Sequence, residues 1–151
     1  MPKTSAGLLM YKITNGTLKF FLVHPGGPFW KDKDAGEWSI PKGEIHDGED
    51  LLHAAIGEMK DETGIDAKEP FVYLETIQQK SGKIVHAWAF EGDWSGLLLG
   101  TSYVSLYNEK TKQSLKFLEV DRADFFDMEK AKQKINPAQI LFLEKLHKIV
   151  N

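Results

Sequence analysis

Apolar and polar residues alternate in short runs through most of this chain, and a period of two predicts strands. Ser5–Ile13 and Leu18–His24 are two such runs around Thr14-Asn15-Gly16-Thr17, where the Asn-Gly pair predicts a hairpin turn. A Gly/Pro-rich loop, HPGGPFWKDKDAG, runs from His24 to Gly36. Glu37–Ile40 reads as a short strand leading into a turn at Pro41-Lys42-Gly43. Phe71–Gln79 and Lys83–Glu91 form a second strand pair around Ser81-Gly82, and Tyr103–Tyr107 and Leu115–Glu119 are further strands. The period changes twice. Leu52, Ala55, Ile56 and Met59 recur at helical spacing and predict a helix over about Leu51 to Thr63. Asp50 is its N-cap, with Asp47 as the alternative, and Gly64 is its stop. Ile140, Leu143, Leu146 and Val150 give the last helix one apolar side. Asn136 caps that helix, Pro137 takes its first position and Gln139 completes a capping box. The order strands, helix, strands, helix predicts an α+β fold, a mixed sheet with a helix on each face in an α/β/α sandwich.

Bulk properties narrow this picture. A chain of 151 residues predicts one domain over residues 1–151, and 42% hydrophobic with 27% charged residues is an ordinary globular balance. The absence of cysteine excludes disulfides and thiolate-bound zinc and fits the cytoplasm. The apolar run in MPKTSAGLLMYK is too short for a signal peptide, and no stretch approaches the roughly 18 apolar residues of a membrane span. No membrane partner is therefore expected. A net charge of −3 argues against a general electrostatic grip on nucleic acid, so no stable nucleic-acid partner is expected. A polyphosphate substrate would need cations beside such a protein. Nothing in the pattern sets an oligomeric state.

The candidate chemistry lies on the first helix. Glu58, Asp61 and Glu62 stand at i, i+3 and i+4 and span an arc of about 100°, centred roughly 120° from the apolar face. The arrangement disfavours the helix. Glu58 and Glu62 are like charges four residues apart, costing about 0.2–0.5 kcal/mol. All three acids also occupy the last turns, where the helix dipole prefers cations. Lys60 points elsewhere on the wheel. A bound Mg²⁺ or Mn²⁺ would offset the cost; a solvated acidic helix end is the alternative that spacing alone leaves open. The five histidines show no metal-ligand spacing: His53 and His147 read as helix-surface residues, and His86 alternates along a strand.

The surroundings decide between these readings. In GEIHDGEDLLHAAIGEMKDETGI, Gly43 is followed after five residues by Glu49, and seven more lead to Gly57-Glu58-Met59-Lys60-Asp61-Glu62-Thr63-Gly64-Ile65. This resembles the Nudix box, G-x5-E-x7-R-E-U-x-E-E-x-G-U with U aliphatic. Gly43, Glu49, Glu58, Met59, Glu62, Gly64 and Ile65 match. Gly57 stands where the family has Arg, and Asp61 where it has Glu. Asp keeps the charge with a shorter reach. Gly57 removes the Arg that pairs with acids of the box and weakens the helix by about 1 kcal/mol relative to Ala. The resemblance extends outward. His24 to Trp30, Asp34-Ala35-Gly36 and Trp38 to Gly43 are similar to a bacterial subgroup of NTP pyrophosphohydrolases. Trp38 with Pro41-Lys42-Gly43 is also similar to the asymmetric diadenosine tetraphosphate hydrolases. Glu119 to Phe126 resembles the segment that supplies a further carboxylate in MutT-type members.

The resemblance implies a Mg²⁺-dependent hydrolase, with Mn²⁺ as an alternative ion, acting on a nucleotide-type small molecule such as an NTP or a dinucleoside tetraphosphate. It implies Glu58 and Glu62 as metal ligands, the Gly43 carbonyl as another, and Asp61 as a direct or outer-sphere ligand. Glu119 is a metal ligand or general base, and the proton acceptor stays open between Glu58 and Glu119. Glu49 holds the loop and Gly64 ends the helix. Lys42 neutralises a phosphate or is an exposed turn lysine. Trp38 stacks on a base or packs beneath the loop, and Phe29 with Trp30 forms a base platform or anchors its own loop. Three other readings remain: removal of oxidised nucleoside triphosphates, removal of a 5′ diphosphate from RNA, and a binding or regulatory protein with weakened catalysis, which Gly57 favours.

Overall fold

The structure is a computed structural model and describes residues 3–150. β1 (Thr4–Thr14) and β2 (Thr17–Pro25) form the expected hairpin, with Asn15 and Gly16 both at positive φ, 53° and 77°. β4 (Val72–Gln78) and β5 (Ile84–Glu91) form the second. β8 (Val120–Phe126) follows the antiparallel pair β6 (Tyr103–Asn108) and β7 (Gln113–Leu118). The main sheet runs β4-β5-β1-β2-β8 and is mixed, because β5 lies parallel to β1 while β2 and β8 are antiparallel to their neighbours. β1 is long enough to divide one edge between two partners. Its end, Tyr11–Thr14, pairs with β2, and its start, Ser5–Gly7, pairs with β3 (Lys42–Glu44).

Side chains alternate across this sheet as the period of two demands. Leu9, Phe20 and Leu22 face one side, and Ala6, Leu8, Met10, Phe21 and Val23 the other. The second set packs on α1 (Leu51–Thr63) through Ala55 and Met59. The first packs on α2 (Met128–Lys134) and α3 (Ile140–Val150) through Ala131, Phe142, Leu143 and Leu146. The expected helix on each face is therefore present.

α1 has the expected limits. The Asp50 carboxylate accepts from His53 N at 2.8 Å, a cap worth about 1 kcal/mol, and Gly64 closes the helix at φ 82°. Four expectations are corrected. Glu37–Ile40 makes only isolated bridges, Val23 with Ser39 and Trp38 with Ile135, while the supposed turn at Lys42-Gly43 is β3. Lys42 and Gly43 pair with Gly7 and Ala6, a ladder that local sequence does not announce. β8 and α2 were not anticipated; β8 pairs in register with β2, from Phe20–Phe126 to His24–Arg122. Asn136 does cap, accepting from Ala138 N, but the turn Pro137–Gln139 is 3-10 and precedes α3. Gln139 makes no capping box. Its buried Oε1 accepts from Ile40 N at 3.0 Å, pinning the segment that enters β3.

Candidate active site

Distant segments bring the acids together. α1 carries Glu58, Asp61 and Glu62, β3 runs alongside with Lys42 and Gly43, and Glu119 lies between β7 and β8. The helical wheel grades the first three. Glu62 lies about 20° from Ala55, Glu58 about 60° and Asp61 about 120°. Glu62 is accordingly buried at 5% exposure, Glu58 is half-buried and Asp61 is exposed. Asp61 instead contributes its backbone carbonyl, which accepts from Thr101 N at 2.8 Å and Ser102 N at 3.1 Å. Lys60 points away, toward Asp66 at 3.1 Å.

Gly43 has a steric role. A β-carbon there would fall on the Glu58 carboxylate, so this strand approaches the helix only as glycine. Gly43→Ala is expected to displace Glu58 and lower turnover sharply while the circular-dichroism spectrum stays that of the wild type.

Glu119 is held at three points. Its N–H donates to Ser102 O at 2.9 Å, its carbonyl accepts from Gly26 N at 2.8 Å, and its Oε2 accepts from Ser102 Oγ at 2.5 Å. The β2–β8 pairing shifts register at His24/Pro25, beside this residue, a bulge of the kind that re-aims side chains next to active sites.

The charges interact strongly. Burial first, then the charges of Glu119 and Glu58, hold the Glu62 carboxyl well above the usual carboxylate range, while Lys42 opposes the shift. Glu58 is raised by burial and then by Glu119. Burial, then Lys83, lowers the Lys42 ammonium, and Glu62 and Glu119 pull it back up. Lys42 is thus a half-buried strand residue facing the acids, not an exposed turn lysine. Buried Glu62 Oε2 receives no hydrogen bond from a donor group among the described residues; its carboxyl meets that of Glu58, a like-charged partner once both ionise.

That orphaned oxygen is the observation that fits a divalent cation. An acidic cluster with one lysine is short of positive charge, and hard cations take carboxylate and carbonyl oxygens. No three His, Cys, Asp or Glu side chains among the described residues already form a group that could hold a metal ion, so ions would have to draw the carboxylates together. The residues suited to this are Glu58 and Glu62, with the Gly43 carbonyl and Glu119 close by and Asp61 on the outer side.

A cavity of about 280 Å³ adjoins the cluster. Lys42, Glu62, Glu119, Trp30, Glu37, Gln79, Asn136 and Gln139 are among the residues that line it. Trp38 borders it but is 4% exposed, with its indole N–H donating to Asp34 at 2.7 Å, so it serves mainly as core. Trp30 is the more accessible aromatic on the wall, and Phe29 meets it edge-on at 4.8 Å. Glu49 closes the loop before α1 by accepting from His46 N at 2.7 Å. Glu37, Gln79 and Ser102 carry no sequence signal for the site; only long-range pairing brings them there.

A sequence model of the NUDIX domain matches residues 3–146. The chain belongs to the Nudix family. Its Nudix box maps onto β3, the Glu49 loop, α1 and the Gly64 cap. An RNA pyrophosphohydrolase from Novosphingobium aromaticivorans is 33% identical over 72 residues, 48% of this chain and 41% of that protein. The asymmetrical bis(5′-nucleosyl)-tetraphosphatase of Rattus norvegicus is 30% identical over 89 residues, 55% of this chain and 56% of that protein. The chain thus spans about half the length of the curated relatives it matches. A C. elegans Ap4A hydrolase binary complex superposes with a TM-score of 0.64 at 24% identity, covering 98% of this chain and 97% of that one. The NUDIX domain of Shewanella oneidensis NrtR, crystallised with ADP ribose, gives 0.67 at 13% identity, covering 100% and 90%. Both share the Nudix fold.

Gly57, at the family's Arg position, faces open space, with no atom within 4 Å of a β-carbon built there. The Glu49 loop is closed without an arginine. Gly57→Arg is therefore expected to stabilise α1 by about 0.7 kcal/mol and to leave turnover little changed. Thermal melting and steady-state kinetics check both parts.

Proposed function

We propose that this protein is a divalent-cation-dependent hydrolase that cleaves a diphosphate linkage in a nucleoside polyphosphate. The observation that carries the reading is the buried Glu62 oxygen, which has no donor group among the described residues and is set among Glu58, Glu119 and Lys42 beside a cavity that Trp30 also lines. Lys42 on the cavity lining suits phosphates, and Trp30 on the same lining suits a base. A dinucleoside tetraphosphate and an NTP both offer a phosphate chain and a base, and the activities for which the two relatives are named support a phosphate-chain substrate.

A bound Mg²⁺ or Mn²⁺ would neutralise the phosphate oxygens and would acidify a water molecule. The Gly43 carbonyl, Glu58 and Glu62 would hold it, with Glu119 and Asp61 as further oxygen donors. Lys42 faces the same phosphates. Water attacks one phosphorus of the diphosphate, the bridging P–O bond breaks, and each product ends in a phosphate. The water's proton passes to Glu58 or Glu119. Because a bound cation would acidify the water, neither carboxylate needs to be strongly basic. Among the described residues no helix is long and apolar enough to cross a membrane, and a cytoplasmic setting is part of the proposal.

Ranking kcat/KM across diadenosine tetraphosphate, NTPs and 5′-triphosphate RNA tests the substrate class. Preference for a free nucleotide supports the reading. Preference for RNA would make the chain an RNA 5′-pyrophosphohydrolase. Gly57 favours a second reading, a weakened catalyst that binds nucleotides. A large gain in turnover in Gly57→Arg would establish it.

A further inference from the structure

The segment Leu99–Ser102 joins the two sources of acid in this site. Leu99 N donates to Thr63 O at 3.0 Å, and Thr101 N and Ser102 N both donate to Asp61 O, so the segment is bonded to the last turn of α1. Gly100 lies against the same turn, where a β-carbon would collide with the Glu62 carbonyl. The segment then ends at Ser102, whose Oγ donates to Glu119 Oε2 at 2.5 Å.

The hydroxyl has work beyond closing the β6–β7 hairpin. The backbone bond from Glu119 N to Ser102 O already closes it. The charge of Glu119 acts repulsively on both Glu58 and Glu62. A carboxylate under that repulsion turns toward solvent unless a donor holds it. Ser102 is such a donor, fixed to the helix that carries the other two acids, and its bond to an ionised oxygen is of the stronger, charge-assisted kind. Oε1 of Glu119 has no hydrogen-bond partner among the described residues and stays available for cation or water.

We propose that Ser102 is a positioning residue that fixes Glu119 at working distance from Glu58 and Glu62. The inference rests on reading Glu119 as a working carboxylate of the proposed hydrolase. Outer partners of this type typically change metal affinity or activity by about 10–100-fold.

The test compares wild type, Ser102→Ala, Ser102→Thr, Glu119→Ala and the Ser102→Ala/Glu119→Ala double variant. Mn²⁺ binding is followed by the loss of the free-ion electron paramagnetic resonance signal, alongside kcat, KM and thermal melting. Ser102→Ala is expected to weaken Mn²⁺ binding and lower kcat by roughly tenfold with KM for nucleotide little changed. Ser102→Thr should restore both. In the Glu119→Ala background the serine should no longer matter. If Glu119→Ala reduces Mn²⁺ binding and kcat but Ser102→Ala only lowers the melting temperature, Ser102 is structural and the inference falls. If wild type binds no Mn²⁺ and turns over no substrate, the proposed function falls and takes the inference with it.

Discussion

Glu58→Gln should lower turnover by at least about 10²-fold, the usual size of a lost acid–base group, without lowering thermal stability. The two halves have one cause. The Glu58 carboxylate occupies the space over Gly43 that a β-carbon would fill, half-buried and raised in pKa by burial and by Glu119. Gln retains the shape and removes the charge. It also relieves repulsion with Glu62, four residues along the same helix. A variant that melts at or above the wild-type temperature yet fails in steady-state assays separates chemistry from folding. Retained turnover would remove Glu58 from the machinery.

Glu62→Gln should raise the melting temperature of the cation-free protein at neutral pH and reduce its stabilisation by Mg²⁺. Glu62 is buried with an unpartnered oxygen, and its carboxyl is pushed well above the ordinary range by burial, Glu119 and Glu58. A group raised in the folded state binds protons there that the unfolded chain has already released. Stability contributed this way is complete below the unfolded value, about 4.3, and is lost as pH rises toward the folded value. Glu58 acts in the same sense. Carboxyls held low act oppositely. Asp34 is lowered by its hydrogen bond from Lys134, and Asp93 by one from Trp94 N and then by Lys12. Their contributions persist above the ordinary Asp value of about 3.9 and fade below it. Cation-free wild type should therefore be most stable in mildly acid solution and weaken toward neutrality. Added Mg²⁺ should raise its melting temperature more at neutral pH than in acid, by roughly 2–4 °C for each kcal/mol gained. In Glu62→Gln both the neutral-pH weakness and the Mg²⁺ effect should shrink. Melting curves over pH, with Mg²⁺ and with chelator, give the result; a flat cation-free profile would contradict the charge account.

Local patterns carry far in this protein. Asp50, the apolar face through Ala55 and Met59, and Gly64 set the limits of α1 from sequence, because caps and periodicity are local interactions. The Asn15-Gly16 turn was legible for the same reason. β3 was not, since a three-residue strand exists only through its pairing with Ser5–Gly7. Gln139 looked like a capping residue, but burial gave its amide a better partner in the Ile40 backbone. The site shows the same division. The Nudix box placed Glu58, Glu62 and Gly43 together, whereas the helical wheel centres the three acids roughly 120° from the apolar face. The closeness of Glu62 to Ala55 on that wheel, and the Leu99–Ser102 segment above it, bury it instead. Trp38 read as a base-stacking candidate by type, yet Asp34, His24 and Phe126 hold it in the core. Ser102 could be found only from the fold, because 17 residues separate it from Glu119.

Cation-dependent hydrolysis by the Glu58–Glu62 cluster can be read from ³¹P nuclear magnetic resonance of one reaction. A dinucleoside tetraphosphate is incubated with wild type and Mg²⁺, with wild type and chelator, and with Glu58→Gln and Mg²⁺. The resonances of the intact tetraphosphate are expected to give way to those of phosphate-terminated products only in the first sample. Equal cleavage in all three, or an unchanged substrate with wild type and Mg²⁺, would contradict cation-dependent hydrolysis by this cluster.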